Sequence, residues 1–485
     1  MAATPSRFLA AGDRENYPPV HVVWELTLAC DLKCNHCGSR AGRRRPDELT
    51  TEECLDLVAQ LARLGTREVS LIGGEAYLRR DWLEIVRAVR QHGMDCTMQT
   101  GGLHLTEERI RQAAEAGLQG IGVSIDGLEE LHDGLRGVKG SFAAALRALG
   151  LLRDYGITPS VNTQVTSQVL PQLRELSELF VEAGAKNWQV QLTVAMGRAA
   201  DHPELLLQPY QLLELMPLLA ELFREGAERG MLLQAGNNVG YFGPYESLWR
   251  GGGDDAVHWS GCNAGENTLG VEADGTIKGC PSLPTVGYAG GNVRDLTLAD
   301  IWRDAPELNF NLTRGVEDAW GFCRGCYYAD SCRGGCTWLS HSLFGRPGNN
   351  PYCHHRALEL EARGLRERVV PVAPAPGRSF DHGRFALLLE TADGRPVSTE
   401  HAPQSDLVQI GGTGKKPSKN AAATRESRPA LVLCRGCDRH VKTGERACPF
   451  CGADVKASER AYRRRLREAQ DACLDLLELF PHSNL

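Results

Sequence analysis

This chain of 485 residues has no apolar run near the roughly 20 residues that cross a bilayer. Its opening, MAATPSRFLAAGDRENYPP, lacks the long apolar core of a secretory signal. Positive charge is not in excess either. Lys and Arg total 54 against 61 Asp and Glu, a formal net charge of −7. That balance leaves no electrostatic footprint for nucleic acid or an anionic membrane. A cytoplasmic location is the expectation, and a reducing compartment argues against disulfides. Yet the chain holds 17 cysteines. Three of them, Cys54, Cys96 and Cys473, sit in apolar helical or strand patterns and read as packed free thiols. The other fourteen fall into spaced groups, and those groups carry the metal signal.

The first half alternates between two hydrophobic periods. Short β-branched or apolar runs occur at 22–28, 69–74, 96–101, 121–126, 160–166 and 188–193. Stretches of helical period lie between them, such as TTEECLDLVAQLARLG and DWLEIVRAVRQHG, several closed by a glycine placed for a C-cap. Six β–α units in succession predict an α/β fold. The sheet should be parallel with right-handed crossovers, a partial (β/α)6 TIM-type barrel. Ligands in such folds gather at the C-terminal ends of the strands. Domain boundaries are expected at 18–240 for the barrel and 250–360 for a Cys-rich domain. A linker with a short β segment at 365–430 and a Cys-paired module with a charged helix at 431–485 would follow. VVPVAPAPG (369–377) reads as a Pro-rich linker, 379–410 as two or three strands, and 411–429 as a polar flexible stretch. GGTGKK within that stretch lacks the spacing and the hydroxyl of a phosphate loop. The Arg run of the last helix reads as a solvated face.

CDLKCNHC places Cys30, Cys34 and Cys37 just past the first strand. A structural zinc site wants four ligands, and a disulfide wants two. Three thiolates suit an iron–sulfur cube with one iron left open. Cys30-x3-Cys34-x2-Cys37 resembles the signature of radical S-adenosylmethionine (SAM) enzymes. The resemblance continues in order through GGE (Gly73, Gly74, Glu75), TGG (100–102), VSIDG (123–127) and HDGLRGVKGSFAAAL (132–146). It covers about residues 20 to 235 and implies a [4Fe-4S] cluster whose open iron chelates SAM. It also implies that Glu75 accepts from the methionine amino group, that Gly73 and Gly74 allow close backbone approach, and that Ser124 and Asp126 contact the ribose. Reductive cleavage of SAM would then yield a 5′-deoxyadenosyl radical that takes a hydrogen atom from substrate. Ala76 follows GGE where many relatives have proline. Arg136 could contact substrate or SAM, or form a surface ion pair.

Seven further cysteines, Cys262, Cys280, Cys323, Cys326, Cys332, Cys336 and Cys353, resemble the SPASM extension of peptide and protein maturases. The resemblance implies two auxiliary Fe–S clusters of [4Fe-4S] type. Cys262, Cys280 and Cys336 would hold the first, and Cys323, Cys326, Cys332 and Cys353 the second. The first is one thiolate short, leaving Asp254, Asp255, His258 or an open iron. In the tail, Cys434-x2-Cys437 and Cys448-x2-Cys451 form a zinc-ribbon pattern, four thiolates for one Zn2+. The chain therefore reads as a radical SAM/SPASM oxidoreductase that oxidatively modifies a ribosomally made precursor peptide. The product would carry a crosslink, thioether, excision or oxidised residue. An electron donor of flavodoxin or ferredoxin type is implied. With 29 residues before the triad, leader binding is expected from 379–410, the ribbon or a separate small protein. Two alternatives stand beside this reading, a radical SAM enzyme acting on a small molecule or cofactor precursor, and a non-enzymatic iron–sulfur electron carrier.

Overall fold

The computed structural model describes Arg7, Asp13 and residues 17–251, 257–401 and 430–479. These form two compact units. One runs up to Gly240 and resumes from Gly261 to His401, and the other joins Tyr241–Ser260 to the chain from Ala430 onward.

The first unit is built on β1 (His21–Glu25), β2 (Glu68–Ile72), β3 (Asp95–Thr100), β4 (Gly120–Ser124), β5 (Thr158–Val165) and β6 (Asn187–Leu192). All six pair in parallel and in sequence order. Each lies within two or three residues of the run that predicts it. A seventh parallel strand, β7 (Leu232–Ala235), extends one edge. At the other edge β1 pairs in parallel with β8 (Thr268–Val271), which turns back through β9 (Thr276–Lys278) and β10 (Ala289–Asn292). One ten-stranded sheet therefore runs from the barrel half into the Cys-rich half. Its order is β10-β9-β8-β1 through β7, and its two ends do not pair with each other.

Five predicted helices are present as α1 (Thr51–Arg63), α2 (Trp82–Gln91), α3 (Glu107–Glu115), α5 (Ser141–Asp154) and α6 (Leu173–Glu182), with α4 (Glu129–Arg136) in addition. Local chemistry starts and stops them. Thr50 and Glu53 close a capping box on α1, Glu53 N–H donating to Thr50 Oγ1 at 3.2 Å and Thr50 N–H to Glu53 Oε2 at 2.7 Å. Gly65, at φ +84°, ends it. The buried stripe Cys54, Leu57, Val58 and Leu61 then faces the core, each fully buried leucine contributing about 1.5–3 kcal/mol.

Strands β3, β5 and β6 alternate strictly between buried and half-buried positions. The buried set (Cys96, Met98, Val161, Val165, Trp188, Val190) is mostly apolar, while Thr97, Gln99, Asn162, Gln164 and Gln191 fill the other face. A parallel sheet covered on both faces would carry apolar residues at every position. Here one face is polar, and that face is where the site forms.

Residues 365–400 form a second, antiparallel sheet, β11 (Leu365–Ala373), β12 (Arg384–Thr391) and β13 (Pro396–Glu400). The stretch read as a linker from residue 369 is thus strand as far as Ala373. Pro371 is tolerated there because β11 is an edge strand. The sheet is bolted to the Cys-rich half by a buried fork. Arg356 Nε and Nη2 both donate to the Glu367 carboxylate at 2.6 Å.

The second unit holds the hairpin of β14 (Leu431–Leu433) and β15 (His440–Lys442) and the helix Val455–Leu479. Residues 411–429, Asp254 and Asp255 lie outside the described residues, as does the Cys473 side chain. Cys54 and Cys96 are buried free thiols. No helix among the described residues is long and apolar enough to cross a membrane.

Candidate active site

One cavity, about 1080 Å³ with its open mouth, lies on the polar face at the C-terminal ends of β1 to β5. Cys30, Cys34 and Cys37 line it together with Gly73, Gly74, Glu75 and Ser124. Asp126 does not. Pro281 and Ser282, next to Cys280, and Trp338, two residues past Cys336, line it too.

Each triad sulfur accepts an N–H. Leu32 N–H donates to Cys30 Sγ at 3.4 Å, Ala41 N–H to Cys37 Sγ at 3.4 Å, and Arg136 Nη1 to Cys34 Sγ at 3.6 Å. Such donors suit thiolates and tune the potential of any cluster they hold. Burial, with Glu75 in addition, pushes the Cys30 thiol up, and burial, with Cys37 in addition and against the pull of Arg136, that of Cys34, a bias that coordination to a metal reverses.

Backbone contact explains the glycines. A Cβ on Gly73 would lie 2.4 Å from the Thr27 carbonyl oxygen, and one on Gly74 would lie 1.9 Å from that of Ala29. The GG pair therefore lets the loop after β2 cross directly over the triad loop, with Glu75 N–H donating to Ala29 O at 2.8 Å. Glu75 is fully enclosed. Its Oε2 accepts from Thr100 Oγ1 at 2.5 Å and its Oε1 from Gly101 N–H at 2.6 Å. Burial raises its carboxyl to about 7 against the pull of these two donors. A carboxylate held this way has lone pairs left for a cationic ligand.

Asp126 serves the site from behind. Its Oδ1 accepts Gln164 N–H at 2.7 Å, and its Oδ2 meets His36 Nε2 at 2.9 Å and the Arg136 guanidinium. Burial would raise this carboxyl, but Arg136 and His36 hold it well below the carboxylate range. Arg136 is therefore a buried bridge from Asp126 to Cys34, not a surface pair. His132, pushed down to about 4 by burial and by Arg136, accepts Asp126 N–H on Nδ1 at 3.0 Å. His36, Gln99, Gln164, Met196, Trp338 and Phe380 also line the cavity or hold its wall, and sequence spacing identified none of them.

The seven later cysteines sort into two sets. Burial, then Cys262 and Cys280 in addition to it, raise the Cys336 thiol. Burial, then Cys353, Cys323 and Cys326, raise that of Cys332. Arg356 lies against Cys323, and Tyr328 N–H donates to Cys326 Sγ at 3.4 Å. Cys262 and Cys280 pack with Trp338 on a buried cluster of Ala264, Leu283, Tyr288 and Phe310. Among the described residues, the tail alone brings four thiols within 4.8 Å of one another. Cys434 and Cys451 Sγ are 3.8 Å apart, and those of Cys437 and Cys448 3.7 Å. In that second unit His258 stacks against Phe242 and His440, and its Nδ1 faces the Trp259 carbonyl at 3.0 Å.

A family model described as the radical SAM superfamily matches residues 24–176, and one described as SPASM, an iron–sulfur cluster-binding domain, matches 262–327. The mycofactocin maturase MftC of Mycolicibacterium smegmatis is 31% identical over 393 residues, 77% of this chain and 92% of that protein. The AdoMet-dependent heme synthase of Oleidesulfovibrio alaskensis is 28% identical over 363 residues, 70% of this chain and 88% of that protein. Streptococcus suis SuiB bound to S-adenosylmethionine superposes with a TM-score of 0.55 at 20% identity, covering 66% of this chain and 74% of that one. This last likeness is one of fold.

Proposed function

Because the chain belongs to the radical SAM superfamily and carries a SPASM domain, we propose that it reductively cleaves SAM and oxidatively modifies a ribosomally made peptide. The observation that carries this reading is the shared wall: one cavity is lined by the triad and by the residues flanking Cys280 and Cys336. A cluster held by Cys262, Cys280 and Cys336 would supply an electron acceptor beside that cavity.

When bound, the cluster and SAM supply a 5′-deoxyadenosyl radical that removes a hydrogen atom from substrate. The chain's residues fit that pair. Cys30, Cys34 and Cys37 would hold the [4Fe-4S] cluster, Glu75 the methionine ammonium, and Ser124 the ribose. Asp126 would act through Arg136 and His36. Cys262, Cys280 and Cys336 would hold one auxiliary cluster, and Cys323, Cys326, Cys332 and Cys353 the other. A cytoplasmic enzyme of this kind would draw electrons from a flavodoxin- or ferredoxin-type protein, with leader recognition by a separate small protein or the tail. An electron carrier alone has no use for the enclosed Glu75 and its cavity.

The reading is tested with peptides encoded by short reading frames beside this gene. One of them should stimulate 5′-deoxyadenosine formation and itself lose hydrogen. The similar heme synthases favour a second reading, a small-molecule substrate. Stimulation by a tetrapyrrole precursor and by no peptide would select it.

In the tail, a tetrahedron with bonds of about 2.3 Å has edges of about 3.8 Å, which the two Sγ separations match. Cys434, Cys437, Cys448 and Cys451 would thus hold one Zn2+. A Cβ on Gly436 would meet Cys451 Sγ at 3.2 Å, so the knuckle needs glycine. We expect one zinc per chain by metal analysis, lost in the Cys448→Ser/Cys451→Ser double variant while SAM cleavage persists. Loss of SAM cleavage with the zinc would contradict a recognition role.

A further inference from the structure

The turn joining β11 to β12 brings Phe380 to the cavity lining. Phe380 holds φ at +55°, an outlying conformation for a bulky residue. Such a conformation persists where the surroundings over-determine it, and here they do. Arg40, three residues past Cys37, donates from Nε to Asp381 Oδ1 at 2.8 Å and to the Arg378 carbonyl at 3.2 Å. Asp381 Oδ2 accepts Arg378 N–H at 2.8 Å, and the Asp381 carbonyl accepts Gly197 N–H at 2.7 Å. The turn is thereby fastened to the triad loop on one side and to the segment after β6 on the other.

The ring it holds covers a cation. Lys278 Nζ lies 4.0 Å from the Phe380 centroid. This ammonium is fully buried, does not line the cavity, and donates to the Leu283 and Pro281 carbonyls at 2.6 and 3.1 Å. Its third partner is Glu272 at 2.7 Å. On the cavity surface Phe380 is joined by Trp338 and Met196, with the indole N–H of Trp338 directed at Met196 Sδ at 3.3 Å. Arg136 is the cation that does line the cavity, and Asp126 pairs it. An anionic side chain entering here would lose its water, and among the described lining residues Arg136, the one Lys or Arg, is already paired. An aromatic or branched aliphatic one would bury apolar surface on three apolar walls.

We propose that Phe380, with Trp338 and Met196, forms the cage that selects the side chain to be modified, and that it selects an uncharged aromatic or branched aliphatic one. This rests on the peptide-modifying reading above and narrows its substrate class.

Two side-chain surrogates test it on the reconstituted, SAM-saturated full chain. Saturation-transfer NMR without reductant should show p-cresol bound about tenfold better than propionate, the scale of one or two aromatic contacts. Phe380→Ala should erase that preference by removing the aromatic wall, and Trp338→Leu, from another wall, should weaken p-cresol alone. With dithionite as electron source, perdeuterated p-cresol should pass deuterium to 5′-deoxyadenosine, the C–D bond of the probe breaking as that of the product forms. Perdeuterated propionate should pass none. Equal binding of the two probes by the native chain, or an unchanged preference in Phe380→Ala and Trp338→Leu, overturns the cage. So does 5′-deoxyadenosine that carries no label from p-cresol. Absence of 5′-deoxyadenosine from the native chain under every condition instead overturns the radical SAM reading, and the NMR result then decides the cage by itself.

Discussion

Replacing Cys323 and Cys326 by alanine will separate SAM cleavage from product formation. Hydrogen abstraction leaves a carbon radical, and closing a new bond or double bond from it releases one more electron. Auxiliary clusters would take up that electron and make the overall change a two-electron oxidation, the one on Cys262, Cys280 and Cys336 standing beside the cavity and the one on Cys323, Cys326, Cys332 and Cys353 drawing the electron onward from it. Cys323, Cys326, Cys332 and Cys353 lie together in the Cys-rich half, away from the triad cavity's lining. The double variant should therefore lose about four irons and still form 5′-deoxyadenosine, slowly and uncoupled from peptide, while the modified peptide fails to appear. Arg356 keeps its fork to Glu367 in that variant, so unchanged circular dichroism is expected. Product at the normal rate would make the second auxiliary cluster structural and its electron-accepting role wrong.

Much of the architecture was legible because parallel β–α units write two periods into one sequence. The polar face of the sheet was not read from the sequence: CTMQTG and WQVQLT carry the alternation, but one polar residue in two looks like an ordinary half-exposed strand until the fold shows a cavity above it. What was not legible has physical causes. β7 is four residues long with Leu232 exposed, too short and too wet to show a period. Pro371 disguised an edge strand as linker. Asp126 stands at the expected strand end, but Arg136, ten residues on at the end of α4, occupies its carboxylate. Met196, Trp338 and Phe380 come from three separate segments, and no spacing rule connects residues that only a folded chain brings together. The division of the seven later cysteines into two sets came from their resemblance to the SPASM extension, and the neighbours that raise Cys336 and Cys332 fall along that division.

Replacing Cys30, Cys34 and Cys37 by alanine should have the largest effect. All three cysteines line the cavity and each sulfur takes an N–H donor. Nothing else among the described residues lines that cavity with thiols. Anaerobic reconstitution of the native chain should load roughly 12 irons if all three sites hold cubes. The triple variant should lose about four of them and keep both auxiliary sets and the tail. Glu75, Gly73 and Gly74 remain in place, so SAM can still enter, but no electron can reach it from the triad. The deciding measurement is 5′-deoxyadenosine, quantified by mass spectrometry after native and triple-variant chains are reduced side by side with SAM. Radical SAM chemistry at this triad gives product from the native chain and none from the variant. Equal 5′-deoxyadenosine from both would contradict radical SAM chemistry at this triad.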